Sequence, residues 1–410
     1  VIRVRPPRPA HDAPRPRAGV RLLAVGGEAV LADPEGGLHH LNATGALVWR
    51  CLDGRATLAE IAGDVAAVTG LPVTEVLADL ARLTDQLDAA GLLEPSAGEP
   101  RPVGVPPTSA GASGRRTLDE PGSCIPCGSR LARLPWSGLV TLGVGDYAVG
   151  VRTHPEAATT LLAEVFAPLV LDDEPARDNF SLRLAEPEEP DPDSQPPAPD
   201  VTAGRRPRPA ARPRHLLYRA DRLVGRAERP EPLLATLGAH LAALDPPAGL
   251  VPLDAVAVCD DRGRAVLCAP APGWDVAFTR ACAAAGLQVA PEPPLWDPDA
   301  GCILLGAPGL PVRLPGLGPG GIRHRAVPVA LVTESGADGT VPAPAAALVR
   351  LAAGRVPPGA AEALARLTTT LTIIPVDPTV PARARAARLA ALLGDADAGG
   401  VAGPERSGRG

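Results

Sequence analysis

The sequence predicts an α+β protein in two parts. A compact unit of three strands and three helices is expected over residues 19–95, and a larger α/β domain over residues 135–394. Three observations carry this. Two short apolar runs, 20–25 and 29–33, precede a set of helix-start signals. A three- and four-residue apolar period then runs from Val73 to Leu87. From residue 139 onward, strand-like and helix-like segments alternate.

The first unit can be built element by element. Gly26-Gly27 and Pro34-Glu35-Gly36-Gly37 break the opening run into strands, with a third strand over 37–41. Asn42 is placed to cap a helix over 43–52, its side-chain oxygen taking a backbone N–H that the helix itself leaves unpaired. Thr57 and Glu60 stand three apart as a capping box, so a second helix should run from Leu58 to about Val68, where Gly70 stops it. Pro72 suits the first turn of a third helix, because the N–H it lacks would be unpaired there anyway. Val73, Val76, Leu77, Leu80, Leu83 and Leu87 then fall on one face, and Gly91 ends the helix.

Three helices with a small sheet also describe a winged helix-turn-helix, which raises DNA binding. Charge argues against it. Between Gly19 and Pro95 the basic side chains are Arg21, Arg50, Arg55 and Arg82. Eleven acids oppose these four (Glu28, Asp33, Glu35, Asp53, Glu60, Asp64, Glu75, Asp79, Asp85, Asp88 and Glu94), leaving the block near −7. Phosphate neutralisation supplies most non-specific affinity, and such a surface repels a duplex.

The order of apolar runs, the turn Leu41-Asn42-Ala43-Thr44-Gly45 and the break Asp53-Gly54-Arg55 resemble the PqqD-like family. Its members recognise leader peptides in pathways that modify ribosomally made peptides, a branch of natural product biosynthesis. The resemblance implies that a leader peptide adds as a strand beside the third strand, in a groove closed by the third helix. Backbone hydrogen bonds give that mode affinity, and pockets for alternate side chains give it selectivity. By position, the receiving edge is Gly37, Leu38, His39, His40 and Leu41, faced by Leu77, Leu80, Ala81 and Thr84. Core packing is the competing reading for those leucines. Adjacent strand residues face opposite ways, so at most one of His39 and His40 would meet an acidic leader segment.

Composition bounds the rest. The 410 residues suffice for two or three domains. Hydrophobic content is 45% but aromatic content only 2%, so the core must be built from Ala, Val and Leu. Lys and Met are absent, so all 40 basic residues are Arg, a bias expected of a GC-rich, actinobacterial type of genome. Net charge is −6 with no basic tract, and no apolar run reaches the roughly 18 residues of a membrane span. No signal peptide is read at the N-terminus. A cytoplasmic protein with no nucleic-acid or membrane partner is the expectation.

Proline and glycine mark the joints. Residues 1–18 read as a disordered Pro/Arg-rich arm, 96–134 as a linker, 186–214 as a disordered insert and 395–410 as a disordered tail. Within the second domain, strands are expected at 139–142, 147–152, 179–184, 215–219, 222–226, 254–259, 265–268, 302–305, 311–314, 327–332 and 371–375. Helices are expected at 156–166, 232–244, 277–285, 345–353, 358–367 and 382–393.

Leu253–Val258, a short turn, then Arg264–Ala269 opening a loop and an all-small helix resemble the HPr kinase-like family. That resemblance implies a phosphate-cradling loop, G-x-x-x-x-G-K-[ST], after the second strand. Here the loop reads Ala269-Pro270-Ala271-Pro272-Gly273-Trp274-Asp275-Val276-Ala277. Two prolines remove N–H donors, Trp274 adds bulk, Asp275 stands near the lysine position and repels phosphate, and the hydroxyl is missing. Asp254 stands where the family has its catalytic His, and Glu292 alone remains of the acidic metal-binding segment. Together these losses predict a degenerate domain lacking a functional P-loop, a pseudokinase with no catalytic residue and no cofactor.

Other chemistry finds little support. Cys124-Ile125-Pro126-Cys127 has the spacing of half a zinc site or of a redox pair, but no second paired spacing accompanies it, so Cys124 and Cys127 are only weak metal candidates. Cys259 and Cys268 fall on expected strands as core residues. Trp136-Ser137-Gly138 is not G-x-S-x-G, and the glycine-rich run 316–321 lacks strand-to-helix context. The expected function is therefore an accessory scaffold that binds a precursor peptide and presents it to a peptide-modifying enzyme. A divergent phosphotransferase acting on a peptide or small molecule is the alternative.

Overall fold

The computed structural model describes residues 12–94, 116–117, 131–172, 176–185, 214–269, 276–334, 343–352, 356, 360–377 and 379–395. The chain folds into a mixed α+β structure. Strands β1 (Arg21–Val25), β2 (Glu28–Ala32) and β3 (Leu38–Leu41) form an antiparallel sheet in that order. Helices α1 (Ala43–Cys51), α2 (Leu58–Thr69) and α3 (Val73–Ala89) follow. The local signals act as expected. Gly45 donates its N–H to the Asn42 side chain at 2.8 Å, the Thr57–Glu60 capping box is reciprocal, and Gly70 ends α2 at φ 74°. Pro72 differs. It is the residue preceding the first turn, with extended backbone, so α3 starts one residue later than expected.

Part of the segment expected to be an open arm is packed. Leu58 donates to the Asp12 carbonyl, Gly54 to Pro14, and Glu94 to Arg15, while Arg17 donates to Leu92. Pro16 bridges to Leu93. These bonds satisfy the backbone around the start of α2 and the end of α3, so the module reaches back to Asp12.

The rest holds two larger sheets. One contains β4 (Arg116–Thr117), β5 (Gly138–Val144) and β6 (Tyr147–His154), then, after helix α4 (Glu156–Val165), β7 (Asp178–Arg183), β8 (His215–Arg219) and β9 (Arg222–Ala227). Residues 116–117 pair parallel to β6, so the expected linker contributes a strand. Helix α5 (Glu231–Leu244) packs with α4 on one face of this sheet.

The other sheet runs through β10 (Val251–Pro252), β11 (Val256–Cys259) and β12 (Arg264–Ala269). After α6 (Val276–Ala284) come β13 (Gln288–Ala290), β14 (Leu295–Asp297), β15 (Cys302–Gly306) and β16 (Ile322–Glu334). Helices α7 (Pro344–Leu351) and α8 (Ala360–Thr370), strand β17 (Thr372–Val376) and helix α9 (Ala382–Asp395) complete it. The spatial order is β10-β14-β15-β16-β12-β11-β13, with β17 beside β16. The first part of β16 pairs with β15, and its later part lies between β12 and β17, parallel to both.

Strand periodicity explains the layers. Along β12, Ala265, Leu267 and Ala269 join one core with α7 and α8, whereas Val266 and Cys268 join another with α6 and α9. Residues 311–314, expected as a strand, form a bend and irregular chain in which Leu314 packs against α5. Val312 also packs against that core, so the stretch is held by apolar side chains without strand pairing. The short strands β10, β13 and β14 escaped the sequence because two or three residues carry no readable alternation.

The first sheet is covered on both sides. Ala29, Leu31 and Leu41 face the module's own helices. On the other side Val25, Val30 and Ala32 are buried with Ala345, Leu348 and Leu364 of α7 and α8. Arg21 pairs with Glu362 of α8 at the margin. The module is thus docked on the larger domain through the back of its sheet.

Candidate functional site

β3 pairs with β2 along one side only, so among the described residues its other edge is open. Register shows which groups point there. Asp33 donates to the Gly37 carbonyl, which makes 33/37, 31/39 and 29/41 the hydrogen-bonded pairs of the hairpin. In an antiparallel ladder these alternate with pairs whose N–H and C=O groups point away from the partner. The backbone groups of Leu38 and His40 therefore face the open edge.

A groove of about 620 Å³ lies between this edge and α3. Leu41, Leu83, Leu87 and Leu92 supply its apolar lining, and Asn42, Thr44 and Gly45 close the end where α1 begins. Asp79, Arg82, Gln86 and Ala90 form the α3 rim. This is not the stripe expected from sequence. Leu80 and Thr84 are buried in the module core, and Thr84 turns its hydroxyl back to the carbonyls of Leu80 and Ala81. Leu77 packs against the same core, and Ala81 is half-buried outside the groove lining. The groove instead takes Asp79, Arg82, Leu83 and Gln86, one step of about 100° around the helix. The apolar period locates the buried face. The groove is its neighbour, and the polar residues Asp79, Arg82 and Gln86, at i, i+3 and i+7 around Leu83, were the available signal.

The two histidines separate as a strand requires. His39 shares the face of Leu31 and Leu41, towards the helices, and its Nε2 lies 3.3 Å from Asp33 Oδ2. His40 shares the face of Val30, and its Nε2 lies 2.7 Å from Glu28 Oε2. Burial pushes the Asp33 carboxyl up. Hydrogen bonding from the Gly37 N–H and the attraction of His39 outweigh this and hold it below its ordinary value. Arg82 is exposed and paired with Asp79 at 2.8 Å.

The larger domain places its singled-out residues differently. β12 ends at Ala269 and α6 starts at Val276, so the strand–loop–helix order is present. Pro270, Gly273, Trp274 and Asp275 lie outside the described residues, as do Cys124 and Cys127. Asp254 sits in a bend, its N–H donating to the Leu351 carbonyl. Glu292 is fully buried, with Arg323 Nη1 2.9 Å from Oε1. Burial raises its pKa, and Arg323 opposes that rise. Burial also pushes the Cys259 and Cys268 thiols up to about 12, far from a nucleophilic thiolate. No group of three or more His, Cys, Asp or Glu among the described residues is placed to hold a metal. No helix among them is long and apolar enough to cross a membrane.

The module is a three-stranded sheet whose β3 edge, open among the described residues, lies beside a helix-walled groove. Residues 28–93 match the family described as Coenzyme PQQ synthesis protein D (PqqD). The N-terminal module is PqqD-like, and the family implies a peptide-binding accessory role in making modified, ribosomally produced peptides. The match ends at Leu93 and lends no support to the HPr kinase-like resemblance of the larger domain. No curated protein and no solved structure matches the chain.

Proposed function

We propose that this chain binds the leader of a precursor peptide as a fourth strand on β3 and presents the peptide to a separate modifying enzyme. The open edge of β3 beside the groove carries the reading, because an extended peptide there gains backbone hydrogen bonds and side-chain pockets together. The larger domain serves as a non-catalytic, HPr kinase-like scaffold. Two features favour that role: Glu292 is committed to Arg323 inside the core, and Asp254 stands where the family has histidine. Titrating the full chain with the precursor peptide encoded beside its gene, with and without the leader, tests the proposal. Leader-dependent binding, together with faster modification by the neighbouring enzyme, is the expected result. Binding that survives removal of the leader would refute it.

A further inference from the structure

We infer that the segment accepted by β3 alternates apolar and basic residues; this rests on the peptide-binding reading above. Side chains of an added strand point alternately to the two faces of the sheet. On the helix side they meet the lining of Leu41, Leu83, Leu87 and Leu92, which favours apolar residues. On the opposite side they meet the surroundings of His40 and Glu28.

The charges near the edge favour cations. Glu28 and Asp33 each sit against an imidazole, so His39 and His40 are already engaged by carboxylates of this chain. Arg82, the arginine of the groove, is matched by Asp79. An incoming glutamate would have to compete with three resident carboxylates for partners already held. On the side of His40 an incoming arginine can join Glu28 without displacing a cation, while Asp33 and Asp79, on the helix side, add to the negative field along the groove. The module's excess of acids adds a longer-range field of the same sign, which speeds encounter with a cationic peptide.

The test uses the full chain and dye-labelled eight-residue peptides in which Val alternates with Arg, Ser or Glu, read by fluorescence anisotropy at pH 8 and low salt. The Val/Arg peptide should bind at least tenfold more tightly than the Val/Glu peptide. The double variant E28Q/D79N, checked for an unchanged melting temperature, should narrow that gap several-fold. Leu83→Glu in the groove should abolish Val/Arg binding if that peptide occupies the groove. Equal or tighter binding of Val/Glu overturns the charge inference and leaves the groove reading standing. An arginine preference untouched by E28Q/D79N, or Val/Arg binding untouched by Leu83→Glu, also overturns it, because the attraction then lies elsewhere on the surface. If none of the three peptides binds up to millimolar concentration, both this inference and the strand-addition reading fall.

Discussion

The backbone N–H of Val356 donates to the carbonyl of Gly36 at 2.9 Å, tying the chain between α7 and α8 to the turn that leads into β3. Gly36 sits at φ 89°, and a Cβ there would fall 2.2 Å from the Val356 carbonyl oxygen. Gly36→Ala should therefore combine left-handed strain with a backbone clash, at a cost of about 1–3 kcal/mol or more. Gly27→Ala is the control, since Gly27 has φ 87° but open space around it. Thermal melting should show a clearly larger drop for Gly36→Ala. Equal drops would mean that the contact with Val356 does not constrain the turn.

The pairing register makes neighbouring proline substitutions behave differently. His40→Pro removes an N–H that faces the open edge, a position where a strand tolerates proline. Its melting temperature should stay near that of the parent. Binding of a strand-adding peptide should weaken about tenfold, the worth of one lost backbone hydrogen bond plus the obstruction of the ring. His39→Pro removes an N–H bonded to β2 and should lower the melting temperature itself. Calorimetric titration and melting of the two variants distinguish these effects, and full peptide affinity in His40→Pro would exclude strand addition.

Arg323→Ala should leave the Glu292 carboxylate buried without its cation, typically a loss of about 3–5 kcal/mol. The pH dependence has a definite sign. Burial holds the folded-state pKa of Glu292 above its unfolded value, so the folded state binds more protons, and this group's contribution falls as pH rises between those two values. Removing Arg323 takes away the opposing influence and widens that window. Denaturation of parent and variant at pH 5 and pH 7.5 should show the larger deficit at pH 7.5. A deficit independent of pH would mean that lost packing, not charge, is responsible.

For the larger domain we expect no thermal shift with magnesium and ATP or GTP. A nucleotide at about 100 times its dissociation constant raises stability by about 2.7 kcal/mol, well within reach of a melting experiment. A shift that disappears on substituting Asp254 would replace the scaffold reading with the phosphotransferase alternative.

Much of the module was legible because its signals are local. Asn42, the Thr57–Glu60 pair and Gly70 satisfy or terminate their helices through bonds within a few residues, and the structure uses each of them. The groove was less legible. Periodicity reports which residues of α3 are buried, and Leu80 and Thr84 are buried, but the residues lining a cleft depend on how α3 lies against β3. The packing of residues 12–18 was hidden for a similar reason: the stretch reads as an open chain, yet the carbonyls of Asp12, Pro14 and Arg15 accept bonds from Leu58, Gly54 and Glu94. In the larger domain, β13 and β14 are too short to carry a pattern and exist because longer neighbours offer them an edge.

The buried back of the first sheet limits how portable this recognition unit is. Cut free as a fragment, it would bare Val25, Val30 and Ala32 to water along with the flank of Leu38. Grafting the groove onto another enzyme therefore means supplying a substitute for α7 and α8, or repainting those four positions with polar side chains. The same attachment gives the groove a fixed bearing. A peptide lying on β3 would leave it along one heading relative to the larger domain, so the length of the leader, more than any swing of the module, would decide which downstream residue reaches a modifying enzyme.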